Sequence, residues 1–194
     1  IFVDSALAIR VAVMYDKYRE YVNKGARDLM KRDDDIFRFH GLKETTETDQ
    51  SKAILGAPNP KIIIAGSGMS NGGRIVHHEK NYLPDAKNTL LLTGYQSMGT
   101  MGRQIEDGAK SVHIMGDEVP VRAHIEKISG YSGHKDSDHL IEFVAGTADR
   151  VKKVFVVMGE LKSALFLVQR LRDYLGVSAV APDEGESIVL TFEK

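Results

Sequence analysis

Lys61–His78 reads KIIIAGSGMSNGGRIVHH, and its reading decides the fold. Ile62–Ala65 is a short run of β-formers. Gly66, Gly68, Gly72 and Gly73 then fall within eight residues, and Arg74–Tyr82 follows with helical character. The order is strand, tight glycine turn, helix. In a parallel sheet such a turn sits at the C-terminal edge of the strand, where ligands bind. Free backbone N–H groups at the turn and the helix start can hold an anion such as a phosphate. The glycine spacing is not the dinucleotide G-x-G-x-x-G pattern, so it does not indicate a nicotinamide site. Taken alone, the stretch reads as a plain strand-to-helix crossover with glycines for clearance.

Outward from this stretch, composition sets bounds. A chain of 194 residues holds one domain or two small ones. With 42% hydrophobic and 27% charged residues it has the make-up of a globular protein. The net charge of -1 means that nucleic-acid contact must come from a local basic patch. The chain has no cysteine, which excludes disulfides and thiolate metal sites and fits a reducing, cytoplasmic setting. No apolar run has the length of a membrane span, and no signal-peptide pattern is present, so no membrane partner is expected.

Upstream, Ile1–Asp4 reads as a strand, and Ser5 can cap the helix after it. Leu7, Val11, Met14, Tyr18, Tyr21, Val22 and Leu29 recur three or four apart and predict a buried face. Lys31–Asp35 reads as a solvated loop, Phe37–Leu42 is ambiguous, and Glu44–Leu55 reads as a second helix. Downstream, Asn88–Thr93 is a buried strand, Gly94–Met101 a second glycine-bearing turn, Gly102–Asp107 a short helix and Ser111–Met115 a strand. Val119, Val121, Ala123 and Ile125 alternate with polar residues or proline and predict one half-exposed strand. Ser129–Asp136 (SGYSGHKD) is a polar loop, and His139–Val144 opens a helix. Val154–Met158, Val177–Val180 and Ser187–Phe192 read as strands around a helix at Leu161–Leu175, with a turn at Pro182–Glu186. The alternation predicts an α/β fold, Rossmann-like, with a largely parallel sheet and helices on both faces.

Three loops after strands carry polar groups: Gly66–Gly73, Gly94–Gly102 and Ser129–Asp136. A fourth strand ends in Met158-Gly159-Glu160. If these strands share an edge, their loops converge on one crevice. It would present Ser67, Ser70, Arg74, Gln96, Thr100, Arg103, Ser132 and His134. Hydroxyls, backbone amides and arginine forks suit phosphate oxygens, and imidazole exchanges protons near neutral pH. Each of these residues also has a plainer reading, as a turn cap or a solvated charge. Of the seven histidines, no pair has the H-x-H or H-E-x-x-H spacing of a zinc site. His77 and His78 point to different sides of a helix, and His113 and His124 read as strand-surface residues. The residues give no self-contained metal site.

In order, DSALA, SGMSNGGR, GYQSMGTMGRQI with DGA, SGYSGHKD, VFVVMGE and a late P-x-x-G-E resemble the β-CASP branch of the metallo-β-lactamase fold. These are RNA-processing nucleases. The resemblance implies that residues 1–130 form most of the β-CASP domain. Residues 131–194 would be the segment returning to the metallo-β-lactamase (αββα) domain. It implies that Ser132 and His134 match the S-x-H motif that binds the scissile phosphate, with Gly133 and Asp136 inside the same motif. His134 would be catalytic, and Ser67, Ser70, Arg74, Gln96, Thr100, Arg103 and Ser132 would hold RNA. It implies two-zinc hydrolysis of single-stranded RNA in a complete enzyme.

This sequence departs from the family pattern in two places. Met158 stands where the H-G-E triplet has a zinc-ligand histidine, and a thioether is a poor zinc ligand beside imidazole. Ala6 stands where proline is common in D-S-P-L-A. The upstream H-x-H-x-D-H motif is not in this sequence. The chain therefore reads as a fragment or partial copy, expected neither to bind zinc tightly nor to cut RNA alone. Its implied partners are single-stranded RNA, the missing N-terminal half and a second copy of itself, since Val154–Lys194 should expose apolar surface. A non-catalytic relative that binds RNA or a partner subunit, favoured by Met158, is the main alternative. An unrelated nucleotide-binding α/β domain is a third.

Overall fold

Strand and helix alternate along the chain as the patterning predicts. The computed structural model describes residues 1–32 and 36–190, and it divides into two compact units, Ile1–Ser132 and Gly133–Lys194. The first unit opens with β1 (Phe2–Asp4), α1 (Ala6–Lys17), α2 (Lys24–Arg32), β2 (Lys43–Glu44) and α3 (Thr48–Ala53). It continues with β3 (Ile63–Ala65), α4 (Ile75–Tyr82), β4 (Thr89–Leu92), α5 (Met101–Glu106), β5 (Ser111–Ile114), β6 (Asp117–Pro120) and β7 (His124–Lys127). The second unit holds α6 (Ser137–Ala145), β8 (Val154–Phe155), α7 (Leu161–Leu175) and β9 (Ala179–Val180).

Pairing is largely parallel. β1 lies between β2 and β3 in one parallel sheet, β4 pairs with β7, and β8 pairs with β9. β5 and β6 form the antiparallel exception. Their two-residue loop, Met115-Gly116, takes positive φ at both positions (54° and 87°), as a tight hairpin turn requires. The first unit packs Leu83, Ile105, Val112, Ile114, Val119 and Ala123 into one core. The second packs Val168, Leu171, Val177 and Ala179.

Local signals account for the element ends. The Ser5 hydroxyl accepts the Ala8 N–H at 3.3 Å and caps α1, as its position before the helix predicts. Asp136 caps α6 in the same way through the His139 N–H. Gly176 ends α7 in the left-handed conformation that spares a glycine any Cβ clash.

Several expectations are corrected. The face predicted to be buried along the first helix is exposed: Leu7, Val11, Met14, Tyr18, Tyr21 and Leu29 all lie at the surface, while Ile9 and Met30 are buried. Periodicity reports an apolar stripe, not what covers it. The helix read at Glu44–Leu55 begins only at Thr48, because Lys43–Glu44 pairs with β1, and it ends in a 3-10 turn at Ile54–Gly56. The single strand expected over 119–126 is two, β6 and β7, in different sheets; Arg122 and Ala123 turn between them by donating to the Leu83 carbonyl. The strand read at Val154–Met158 stops at Phe155. Residues 187–190 are not strand, and 191–192 lie outside the described residues. Lys31 and Arg32 belong to α2 rather than a loop, and 33–35 lie outside the described residues.

Among the glycines, Gly102 has the closest neighbours. A Cβ there would stand 1.9 Å from Gln96 Oε1 and 3.0 Å from the Met69 carbonyl oxygen. Gly102→Ala is expected to destabilise the chain by about 2 kcal/mol in urea unfolding, the scale of core overpacking. Gly56→Ala, where a Cβ meets nothing within 4 Å, is the control and should stay within about 0.5 kcal/mol.

Candidate functional site

The glycine turn between β3 and α4 rests on a buried carboxylate at the end of β1. Asp4 is 0% exposed. Its Oδ1 accepts from Thr45 Oγ1 at 2.6 Å and Arg74 Nη1 at 2.7 Å. Its Oδ2 accepts from Ser51 Oγ at 2.6 Å and lies 2.7 Å from His78 Nε2. Burial pushes the Asp4 carboxyl up, but its bonds to Ser51, Thr45, His78 and Arg74 outweigh that and bring it down to about 2. The Arg74 guanidinium also donates to the Thr45 and Thr46 carbonyls at 2.6 and 2.7 Å. One side chain thus joins β1, the segment after β2, α3 and the start of α4.

A second carboxylate is buried on α4. Glu79 is 3% exposed, and its Oε1 accepts from Ser70 Oγ at 2.5 Å. Its Oε2 is buried without a partner among the described residues. Burial pushes the Glu79 carboxyl up to about 7 against the pull of the Ser70 bond. Ser70 holds a positive φ of 58° to reach it.

The loops after β3 and β4 meet. Gln96 Nε2 donates to the Gly68 carbonyl at 2.7 Å and to the Gly94 carbonyl at 3.1 Å. Gly102 N donates to the Met69 carbonyl at 3.0 Å, and Met101 N to Asn71 Oδ1 at 3.2 Å. The structure therefore brings two of the four nominated loops together. The segment 129–136 runs from the first unit into the second, and Met158 lies in the second.

This geometry sorts the residues nominated from sequence. Ser70, Gln96 and Thr100 do not face an open crevice: all three are buried. Thr100 donates to the Ser97 carbonyl at 2.7 Å and caps α5 by accepting from Arg103 N. Arg74 is engaged by Asp4, and Arg103 Nε pairs with Asp107 at 2.9 and 3.0 Å. The turn itself spends amides internally, with Ser67 N, Ser70 N and Ile75 N donating to the Gly72, Ser67 and Gly66 carbonyls. Ser67, Ser132 and His134 are exposed. Asp136 ties the 129–136 loop to α6; the His139 backbone N–H, then its ring, hold the Asp136 carboxyl below the usual carboxylate range.

The sequence reading passed over Asp4, Thr45, Ser51, His78 and Glu79. The available signals are the place of Asp4 at the C-terminal end of a strand and at the head of the DSALA motif. The Met158 side chain is fully exposed, at a φ of 65°. Among the described residues no group of three or more His, Cys, Asp or Glu could hold a metal ion. The zinc that the family resemblance implies therefore finds no fitting donor set here.

Comparison with known proteins decides the family. A family model described as the Beta-Casp domain matches residues 1–105. The chain belongs to the Beta-Casp family. A second model, described as a Zn-dependent metallo-hydrolase RNA specificity domain, matches residues 118–182. The chain is similar to Ribonuclease TTHA0252 of Thermus thermophilus, 37% identical over 167 residues, which is 86% of this chain and 38% of the ribonuclease. It is similar to Transcription termination factor FttA of Pyrococcus horikoshii, 30% identical over 98% of this chain and 30% of the factor. FttA of Methanocaldococcus jannaschii is 29% identical over 82% of this chain and 26% of the factor. The chain thus spans between about a quarter and two-fifths of the length of these relatives. No helix among the described residues of this Beta-Casp chain is long and apolar enough to cross a membrane.

The two buried carboxylates impose opposite pH dependences. Glu79, raised in the folded state from 4.5 to about 7, contributes stability that is full below pH 4.5 and lost as pH rises through 7. Asp4, lowered from 3.8 to about 2, contributes stability that is full above 3.8 and lost as pH falls through 2. Urea unfolding of the 194-residue chain should show greatest stability near pH 4–5, with a loss of about 3 kcal/mol by pH 8. Glu79→Gln should remove most of that alkaline slope while leaving the acid limb in place.

Proposed function

We propose that this chain is part of a zinc-dependent RNA phosphodiesterase that acts on single-stranded RNA, and that it is inactive by itself. The observation that carries the reading is the succession along one chain of a Beta-Casp domain and an RNA specificity domain. Identity of 37% to a protein named as a ribonuclease supports it. So does the exposure of Ser132 and His134 on the loop between β7 and α6. In this reading Ser132 binds an oxygen of the scissile phosphate, and His134 gives a proton to the leaving oxygen. Ser67, at the exposed lip of the glycine turn, contacts the RNA backbone. Arg74 and Arg103 lend positive charge from behind their Asp4 and Asp107 partners. Ser70, Gln96 and Thr100 keep the two loops in shape. The metal chemistry of such an enzyme, water activation and phosphate clamping, belongs to polypeptide outside the described residues.

Met158 favours a second reading, a relative that keeps the fold and binds RNA or a partner without cutting. Its thioether stands fully in solvent where a ligand would be wanted, and sulfur of this kind is a poor match for zinc.

The test is cleavage of end-labelled single-stranded RNA, with zinc, by a complete protein containing this chain. Cleavage reduced about 100-fold or more by His134→Ala, with unchanged RNA binding, is the expected result. Absence of cleavage by the complete protein, together with activity gained on Met158→His, would establish the second reading instead.

A further inference from the structure

We propose that Arg170 is a positioning residue for His134: from α7 it holds the first turn of α6, and that turn sets where the loop before α6 presents the imidazole. The inference rests on the reading of His134 as the proton donor to the leaving oxygen.

His134 lies two residues upstream of the α6 cap, Asp136. Asp136 joins the loop to the helix. Its side chain accepts the His139 backbone N–H at 3.0 Å and lies 2.7 Å from His139 Nδ1, and its carbonyl accepts from Leu140 N at 3.0 Å. With that joint closed, the place of His134 follows the place of the first turn of α6.

Two kinds of contact hold α6 on α7. Ile141 and Val144 pack against the core formed by Val168, Leu171, Val177 and Ala179. Apolar packing is non-directional, so it fixes the separation of two helices better than a slide or rotation about the axis. The directional contact is Arg170. Its Nη1 donates to Ser137 Oγ and to Asp138 Oδ1, each at 2.6 Å. These are the first two residues of α6. The guanidinium is itself held. It lies 5.7 Å from the Phe166 ring centroid and 5.3 Å from that of Tyr174, one turn to either side of it on α7.

Stability does not account for this arrangement. The Asp138 side chain is 77% exposed, and ion pairs so open to water contribute little. The N-terminal end of a helix carries partial positive charge, so a cation is the wrong sign for it. What the contact supplies is direction, since one guanidinium nitrogen ties two successive residues of the turn. Displacing a catalytic group by about 1 Å costs up to about 100-fold in rate.

The test uses Arg170→Leu, which keeps an apolar stem between Phe166 and Tyr174, and Asp138→Ala, which removes a partner without touching α7. In the complete protein cutting end-labelled single-stranded RNA, Arg170→Leu should lower kcat about tenfold and leave KM within about twofold. Asp138→Ala should lower kcat in the same direction and add little to Arg170→Leu. The Arg170→Leu loss should vanish in a His134→Ala background, because residues that act as a unit are not additive. A merely structural role would subtract again there. In the 194-residue chain, Arg170→Leu should quicken amide hydrogen exchange at His139 and Leu140 about tenfold. Val154 and Val156, which donate to the Ser178 and Val180 carbonyls, should keep their rates. Unchanged kcat in Arg170→Leu would overturn the proposal, as would a loss that persists in the His134→Ala background. So would exchange that stays unchanged at His139 and Leu140, or quickens at all four amides alike. A complete wild-type protein that cuts no RNA overturns the reading of His134 and this role with it; an active wild type with any of the other contrary results overturns this role alone.

Discussion

The fold of the first unit depends on one buried negative charge. A carboxylate with no exposed surface is costly unless each lone pair is met, and Asp4 meets four donors from three separate segments. None of those donors is close to Asp4 in sequence; they lie 41 to 74 residues away. The contact therefore fixes tertiary arrangement rather than local structure. It sets where α4 begins, and with it the path of the glycine turn, because Arg74 is at once the N-cap position of α4 and the partner of Asp4. The loop after β4 is then seated against that turn by Gln96 and Gly102. The sequence-distant polar network, more than any glycine spacing, determines what this end of the sheet presents.

Much of the architecture was legible because it is written in local patterns. Strand β3, the glycine turn and α4 follow from an apolar run, a glycine cluster and a helical stretch, and Ser5 caps as its position says. What failed were inferences that need knowledge of distant partners. The stripe along α1 was read as buried, yet only Ile9 is covered. Lys43–Glu44 was read as helix because nothing local announces that β1 will pair with it. At the site the sequence nominates hydroxyls and arginines for their chemistry, but chemistry does not say which way a side chain is spent. Ser70, Gln96 and Thr100 satisfy buried backbone and carboxylate groups instead of a ligand. The roles of Asp4 and Glu79 are not legible in the sequence, because their partners at Thr45, Ser51, Arg74 and His78, and at Ser70, lie 9 to 74 residues away.

The result is a division of labour among polar groups. Those of the loops after β3 and β4 mostly hold the loops in place, and Ser67, Ser132 and His134 have exposed positions. A ribonuclease reading needs a rigid lip carrying a few exposed contacts, and this arrangement is compatible with it. Glu79 stands apart. Its Oε2, in the cavity lined by β3 and β4, is buried without a partner among the described residues.

The central claim is that Asp4 and Arg74 are coupled directly and organise the turn between β3 and α4. A double-mutant cycle in urea unfolding, with Asp4→Asn, Arg74→Gln and the double variant, measures that coupling. The account predicts single losses of about 3 kcal/mol each and a double variant no worse than about 1 kcal/mol beyond either single. Losses that simply add would contradict it, placing Arg74 among ordinary surface arginines and leaving the turn to be organised by something else.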